Sequence, residues 1–203
     1  MVATRQNRGV ESKARLFQAA SHIFAERGYY GTKVSDIVAE AGVSQPTFYA
    51  YFDSKEALFA ELVATFREGL STFVVISRVP EDSTPETGER HLRDNLTAIF
   101  EYLGSDPVMT RIGLLLAPDS AEIYGALAAI VTTNLTRAQI LGWARPSIEV
   151  SVVAEAIVGV IHQLTVRYLL TRERDPLQLA DIAVDFILQG TQKPIPPQAV
   201  AEM

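Results

Sequence analysis

Gln45, Thr47, Tyr49 and Tyr51 stand within nine residues, Ser44 to Phe52, and their types suggest one chemistry. On a short helix they point outward, while Phe48 and Phe52, four apart, point inward together. A face that is merely solvated normally carries Lys and Glu. This one carries uncharged hydrogen-bonding groups, two of them aromatic. Such a face suits nucleic acid: a glutamine amide pairs with adenine, and threonine or proline touches a thymine methyl. Tyrosine hydroxyls, and Lys55 at a helix start, suit phosphate oxygens. The competing reading is that Tyr49 and Tyr51 only pack on the domain surface.

Other chemistries lack residues. His22, His91 and His162 are scattered and have no metal-ligand spacing. Cysteine is absent, so there is no disulfide and no thiolate to bind metal or attack a substrate. Neither a Gly-x-Ser-x-Gly elbow nor a phosphate-binding glycine loop occurs. Asp181 and Asp185, at i and i+4, read as a solvated helix face. The expectation is a protein that is not an enzyme and takes no metal or cofactor.

The elements that must position the outward face follow from helix-period spacing. A first helix is predicted over 11–27, with Leu16, Phe17, Ala20, Ile23 and Phe24 on one side and Gly28 as its cap. A short second helix follows Thr32, carries Val34, Ile37, Val38 and Ala41 inward, and ends at Gly42. Ser44 caps a short third helix that tolerates Pro46 in its first turn. Asp53 or Ser54 caps a fourth, on which Leu58, Phe59, Leu62, Val63, Phe66 and Leu70 form a stripe. Residues 78–90 read as a loop. Further helices are predicted over 86–103, 107–117, 120–141, 147–172 and 176–190, with prolines near the starts. No stretch alternates as a strand would. The predicted fold is all-α with about nine helices: a three-helix helix-turn-helix domain joined by a fourth helix to a larger helical domain. The boundaries are a flexible basic arm at 1–9, the DNA-binding domain at 10–56, an effector-binding and dimerisation domain at 57–190, and a flexible tail at 191–203.

The run from Gly31 to Val63, GTKVSDIVAEAGVSQPTFYAYFDSKEALFAELV, resembles the DNA-binding domain of the tetracycline-repressor (TetR) family. The likeness extends over roughly residues 10–66. Its marks are Gly28-Tyr29 before Thr32, the turn Ala41-Gly42-Val43-Ser44, Thr47-Phe48-Tyr49, Tyr51-Phe52 and Ser54-Lys55-Glu56. The resemblance implies that Thr32 and Lys33 contact phosphate, that Gln45, Pro46 and Thr47 read bases, and that Tyr49, Tyr51 and Lys55 fix the backbone. Position 51 is often histidine in the family, which departs from the tyrosine here. With Ser44, these nine residues are the expected DNA-binding set.

The body carries a second pattern. Helix 147–172 is apolar on nearly every side, through Val150, Val153, Ala154, Ile157, Val158 and Ile161 and also Val152, Ala156, Val160, Leu164 and Leu169. A helix apolar all round is buried all round. Helix 176–190 is similar. The expected dimer interface comprises Val152, Ala156, Val160, Leu164, Leu179, Ala183 and Phe186, and a fully internal core is the alternative. In TetR-like proteins the last two long helices pair with those of a second subunit. Candidate effector-binding residues are Phe100, Met109, Asn134, Trp143 and His162, with Tyr102 and Gln163 near them. Ordinary core packing is the competing reading for the aromatics, and a satisfied core histidine or an interface residue is the competing reading for His162.

These readings imply a homodimer on a palindromic double-stranded operator, a repressor released by a small apolar effector. Net charge of −6 gives no help. Residues 1–55 hold seven basic and five acidic side chains, so a slightly basic head sits on an acidic body. Glu149, Glu155, His162, Gln163 and Arg167 interrupt the longest apolar stretch, so no membrane association is expected. The N-terminus has no apolar leader, and a cytoplasmic location is expected.

Overall fold

The computed structural model describes residues 2–76, 79–80 and 83–191. Among them are nine α-helices and no β-strand: α1 (Val2–Arg27), α2 (Val34–Ala41), α3 (Gln45–Tyr49), α4 (Lys55–Ile76), α5 (Pro85–Ser105), α6 (Pro107–Arg111), α7 (Ser120–Ile140), α8 (Val150–Leu164) and α9 (Pro176–Thr191). α6 continues into a π-helical turn, Ile112–Leu116, and α8 into another, Thr165–Leu169. The fold is all-α, as expected.

Some boundaries differ from the sequence reading. α1 is helical from Val2, so residues 2–9 continue it rather than forming a separate arm. α5 starts at Pro85, inside the predicted loop. Proline suits a first helical position, and the Thr84 hydroxyl accepts the Thr87 N–H at 3.3 Å. α8 starts at Val150 rather than 147. Residues 77–78 and 81–82 of the predicted loop, and 192–203 of the predicted tail, lie outside the described residues.

The chain divides into two compact units. The first holds the chain up to Leu70 and recruits Asp106–Ser120. Its core draws Leu16, Ala20, Ile23 and Phe24 from α1, Ile37 and Val38 from α2, and Leu58, Phe59, Leu62 and Val63 from α4. Phe48 and Phe52 plug the centre. Ile112 and Ala117 join the same core, which is why the unit extends beyond the predicted boundary at residue 56. Phe66 presses on the backbone at Gly113, leaving no space for a Cβ there. Beside it Arg67 pairs with the Asp119 carboxylate and also donates to the Asp119 carbonyl at 3.3 Å.

The second unit comprises Ser71–Ser105 and the chain from Ala121 onward. α5 packs along α9, burying Leu96, Phe100 and Leu103 and, on α9, Leu179, Ala180, Ala183, Val184 and Ile187. Arg93 on α5 pairs with Asp181 of α9 and with Glu89. Asp181 is therefore an ion-pair partner between helices as well as part of a wetted face. The Arg145 N–H donates to the Thr191 carbonyl at 2.8 Å, and the Gln139 amide donates to the Arg145 and Ile148 carbonyls at 2.9 and 3.2 Å. These bonds hold the 141–149 connection on the end of α9.

Residues Val150–Leu169 are long and apolar enough to cross a membrane by length and composition alone. Within the unit they behave as a packed helix with one outward face: Ala154, Ile157 and Val158 are buried, and Val152, Glu155, Ala156, Gly159 and Gln163 are exposed.

Candidate nucleic-acid interface

The expected reading face is built by two caps and one aromatic plug. α2 begins where the Lys33 N–H donates to the Asp36 carboxylate at 3.0 Å. It ends at Gly42, whose φ of +62° is the left-handed conformation that turns the chain into α3. The Ser44 hydroxyl then accepts the Thr47 N–H at 3.3 Å, capping α3. Phe48 is fully buried, so the helix is only five residues long yet has one rotational setting. That setting leaves Gln45, Pro46 and Tyr49 exposed. The Tyr49 ring is 55% exposed and meets Phe48 edge-on at 5.3 Å.

The remaining expected contacts divide. Thr47 is half-buried, and its hydroxyl is 2.8 Å from that of Ser44, so the two satisfy one another. Thr32 is 1% exposed and its hydroxyl donates to the Gly28 carbonyl at 2.8 Å. Its side chain is spent inside the turn. Tyr51 is half-buried and packs on the core of the first unit. Its hydroxyl would stand 3.2 Å from a Cβ on Gly9, so the ring leans on α1. Lys33 is exposed at the start of α2.

Lys55 has a role that its position in the sequence did not reveal. Its ammonium donates to the carbonyls of Tyr29 and Thr32, each at 2.9 Å, and sits 4.2 Å from the centroid of the Tyr29 ring. An ammonium has three donors, so one N–H remains beyond these two carbonyl bonds. The Tyr29 hydroxyl donates to Glu56 at the start of α4. Removal from water, followed by that hydrogen bond and the charge of Glu56, pushes the Tyr29 phenol up to about 12. The same bond, the largest cause, holds the Glu56 carboxyl below its usual range. Tyr29, Lys55 and Glu56 thus tie the α1–α2 turn to α4. The signal in the sequence was the pairing of Gly28-Tyr29 with Ser54-Lys55-Glu56, whose mutual contact spans 26 or 27 residues.

The candidate effector residues do not form one set. Met109 belongs to the first unit and packs on its core. The other four belong to the second unit. Phe100 is fully buried. The Asn134 side-chain oxygen accepts the Val79 N–H at 3.2 Å. Trp143 lies in the turn after α7 rather than on a helix, with its ring against Gly88. His162 meets Tyr124 edge-on at 5.2 Å, and burial pushes the Tyr124 phenol up. Tyr102 is half-buried and Gln163 exposed. Among the described residues no three His, Asp or Glu side chains converge as a metal site.

The expected dimer residues also separate. Val152 and Phe186 are exposed at 59% and 58%, and Ala156 is exposed as well. Val160 and Leu164 are half-buried. Leu179 and Ala183 are fully buried against their own unit. On α9 the register instead turns Leu177, Ile182 and Phe186 outward.

Comparison with known proteins places this geometry. The profile described as "Bacterial regulatory proteins, tetR family" matches residues 16–62, which run from the core of α1 into α4. The chain is 36% identical over 185 residues to the HTH-type transcriptional regulator YdgC of Bacillus subtilis (strain 168), covering 91% of this chain and 95% of that one. It is 26% identical over 196 residues to the HTH-type transcriptional repressor DhaR of Mycobacterium sp. (strain GP1), covering 89% and 94% respectively. The solved structure of the transcriptional regulator FadR from Bacillus subtilis, in complex with stearoyl-CoA, has the same fold. Its TM-score is 0.66 at 21% identity, over 88% of this chain and 98% of that one.

Proposed function

The chain belongs to the tetR family of bacterial regulatory proteins, and we propose that it is a homodimeric, cytoplasmic repressor released from a palindromic operator by a small apolar effector. The observation that carries the DNA half is the face on α3. Gln45, Pro46 and Tyr49 stand outward on a helix that Ser44 caps and Phe48 anchors. Gln45 reads a base edge, Pro46 and the Thr47 side chain contact apolar base atoms, and Tyr49 bonds a phosphate. Lys33 adds a charge at the start of α2. Lys55 chiefly holds the turn, with its remaining N–H directed to phosphate.

One five-residue helix makes few base contacts, so two must act together. The outward apolar residues of α8 and α9, among them Val152, Ala156, Ile182 and Phe186, support pairing with a second copy. A dimer would set the two reading helices on half-sites about 34–36 Å apart. An effector then lowers DNA affinity by as much as it prefers the shape with the wrong separation. The FadR structure was solved with a long acyl thioester, and the shared fold makes acyl chains the first ligand class to try. YdgC and DhaR are named as regulators, which argues against an enzymatic role.

The test is selection from a random duplex pool with the full-length protein, followed by sedimentation of the complex. The expected result is a two-fold symmetric site carrying two copies of the chain. Enrichment of no sequence, or of an asymmetric site bound by one copy, would refute the reading. Thermal shifts against an acyl-chain panel test the effector separately.

A further inference from the structure

We propose that Tyr30 is an additional DNA contact, its ring and hydroxyl meeting the sugar-phosphate backbone that flanks each half-site. This rests on the operator-binding reading above. Tyr30 is 96% exposed on the turn between α1 and α2, where a large aromatic ring forgoes the burial it usually gains.

The turn beneath that ring is fixed on every side. Gly28 takes a φ of +74°, and Thr32 bonds back to its carbonyl. A Cβ on Gly31 would stand 2.5 Å from the Arg27 carbonyl oxygen, so the turn closes only with glycine there. The Lys55 ammonium holds the carbonyls of Tyr29 and Thr32, on either side of Tyr30-Gly31. The Tyr30 ring itself meets Tyr29 edge-on, with centroids 5.3 Å apart at 80°. Tyr29 is in turn packed on Phe24 and Phe59, at 5.8 and 4.9 Å.

The backbone beneath the ring is fixed, so a partner has only the side-chain torsions of Tyr30 left to order. Its setting also suits an anion. Three residues on, exposed Lys33 precedes the positive end of α2, and Lys55 opens α4. Two acids beside the turn are engaged: Asp36 accepts the Lys33 N–H, and Glu56 accepts the Tyr29 hydroxyl. A phenol that donates to a phosphate oxygen and lays its ring against a sugar uses everything the turn presents.

The full-length wild type selects an operator from a random duplex pool. Y30A, Y30F and Y49A are then titrated against that duplex by fluorescence anisotropy across a NaCl series, with thermal melting of each protein. Y30A should bind about 10-fold more weakly, or worse, with an unchanged melting midpoint. Y30F should keep part of the affinity, because only the hydroxyl is lost. The salt slope of Y30A should equal that of the wild type, because tyrosine displaces no counterion. If Y30A binds as tightly as the wild type while Y49A fails, Tyr30 is no contact and the operator-binding reading stands. A lowered melting midpoint in Y30A, with Y30F like the wild type, would likewise overturn the contact. If the wild type selects no duplex at all, both ideas fall.

Discussion

Gly113→Ala should be among the most damaging single-methyl changes in the first unit. The added Cβ would stand 2.0 Å from Phe66 Cδ1 and 2.4 Å from Cε1 and Cγ. Carbon atoms settle at about 3.5–4.0 Å, so the ring or the backbone must retreat by roughly 1.5 Å. Phe66 is 2% exposed and has nowhere to swing. Overpacking ordinarily costs about 1–3 kcal/mol, and a trapped aromatic ring places this case at the top of that range. Phe66→Ala alone empties the same site and should cost about 3–5 kcal/mol. In the double variant the new methyl occupies space the ring has left, so the two penalties should fall short of their sum by about 2 kcal/mol. Urea unfolding of the four proteins, followed by far-UV circular dichroism, measures the cycle. A Gly113→Ala variant within about 0.5 kcal/mol of the wild type, or strictly additive penalties, would refute the contact as the reason for glycine there.

Lys33→Ala and Lys55→Ala should behave differently. Lys33→Ala lowers the salt slope of operator binding by about 0.9 per half-site and leaves stability unchanged. Lys55→Ala also destabilises the first unit, by about 2 kcal/mol, because two carbonyls lose a charged donor. Identical urea midpoints for the two variants would count against the Lys55 clamp. Tyr29 supplies a pH test. Its folded pKa of about 12 lies above its ordinary 10.0, so its contribution is intact below pH 10 and is lost as pH rises through 12. The stability advantage of the wild type over Tyr29→Phe should therefore shrink across that window, and a constant difference would disprove the linkage. Phe186→Glu, on an exposed position of α9, should yield a folded monomer with weakened operator binding. Sedimentation velocity showing an undisturbed dimer would exclude that residue from the interface.

The head was legible in the sequence because its signals are local. Gly28, Gly42 and Ser44 mark turns and caps within a few residues of the atoms they serve, and the spacing of Phe48 and Phe52 sets which side of α3 faces inward. What escaped depends on partners distant in the chain. Lys55 reads in the sequence as a free cation, and its bonds go to carbonyls 23 and 26 residues away. Ile112 and Ala117 gave no sign that they complete the core of the head. On α9 the apolar spacing identified a helix with two apolar sides but could not say which side α5 would take. Leu179 and Ala183 went inward, and Leu177 and Ile182 went outward. The candidate effector residues carry no local signal beyond their type. Nothing local separates an aromatic that fills a core, as Phe100 does, from one that lines a cavity.

The anchoring of α3 by one buried ring has a consequence for how such a protein diversifies. Phe48 and the Ser44 cap anchor that segment, while Gln45, Pro46 and more than half of Tyr49 stay exposed. If these positions read the operator as proposed, substitutions there leave the Phe48 anchor and the Ser44 cap in place, so selection on operator sequence can act with little opposition from selection on folding. Duplicated copies of such a gene can drift to new target sites quickly, and mismatched intermediates remain folded long enough to be tried.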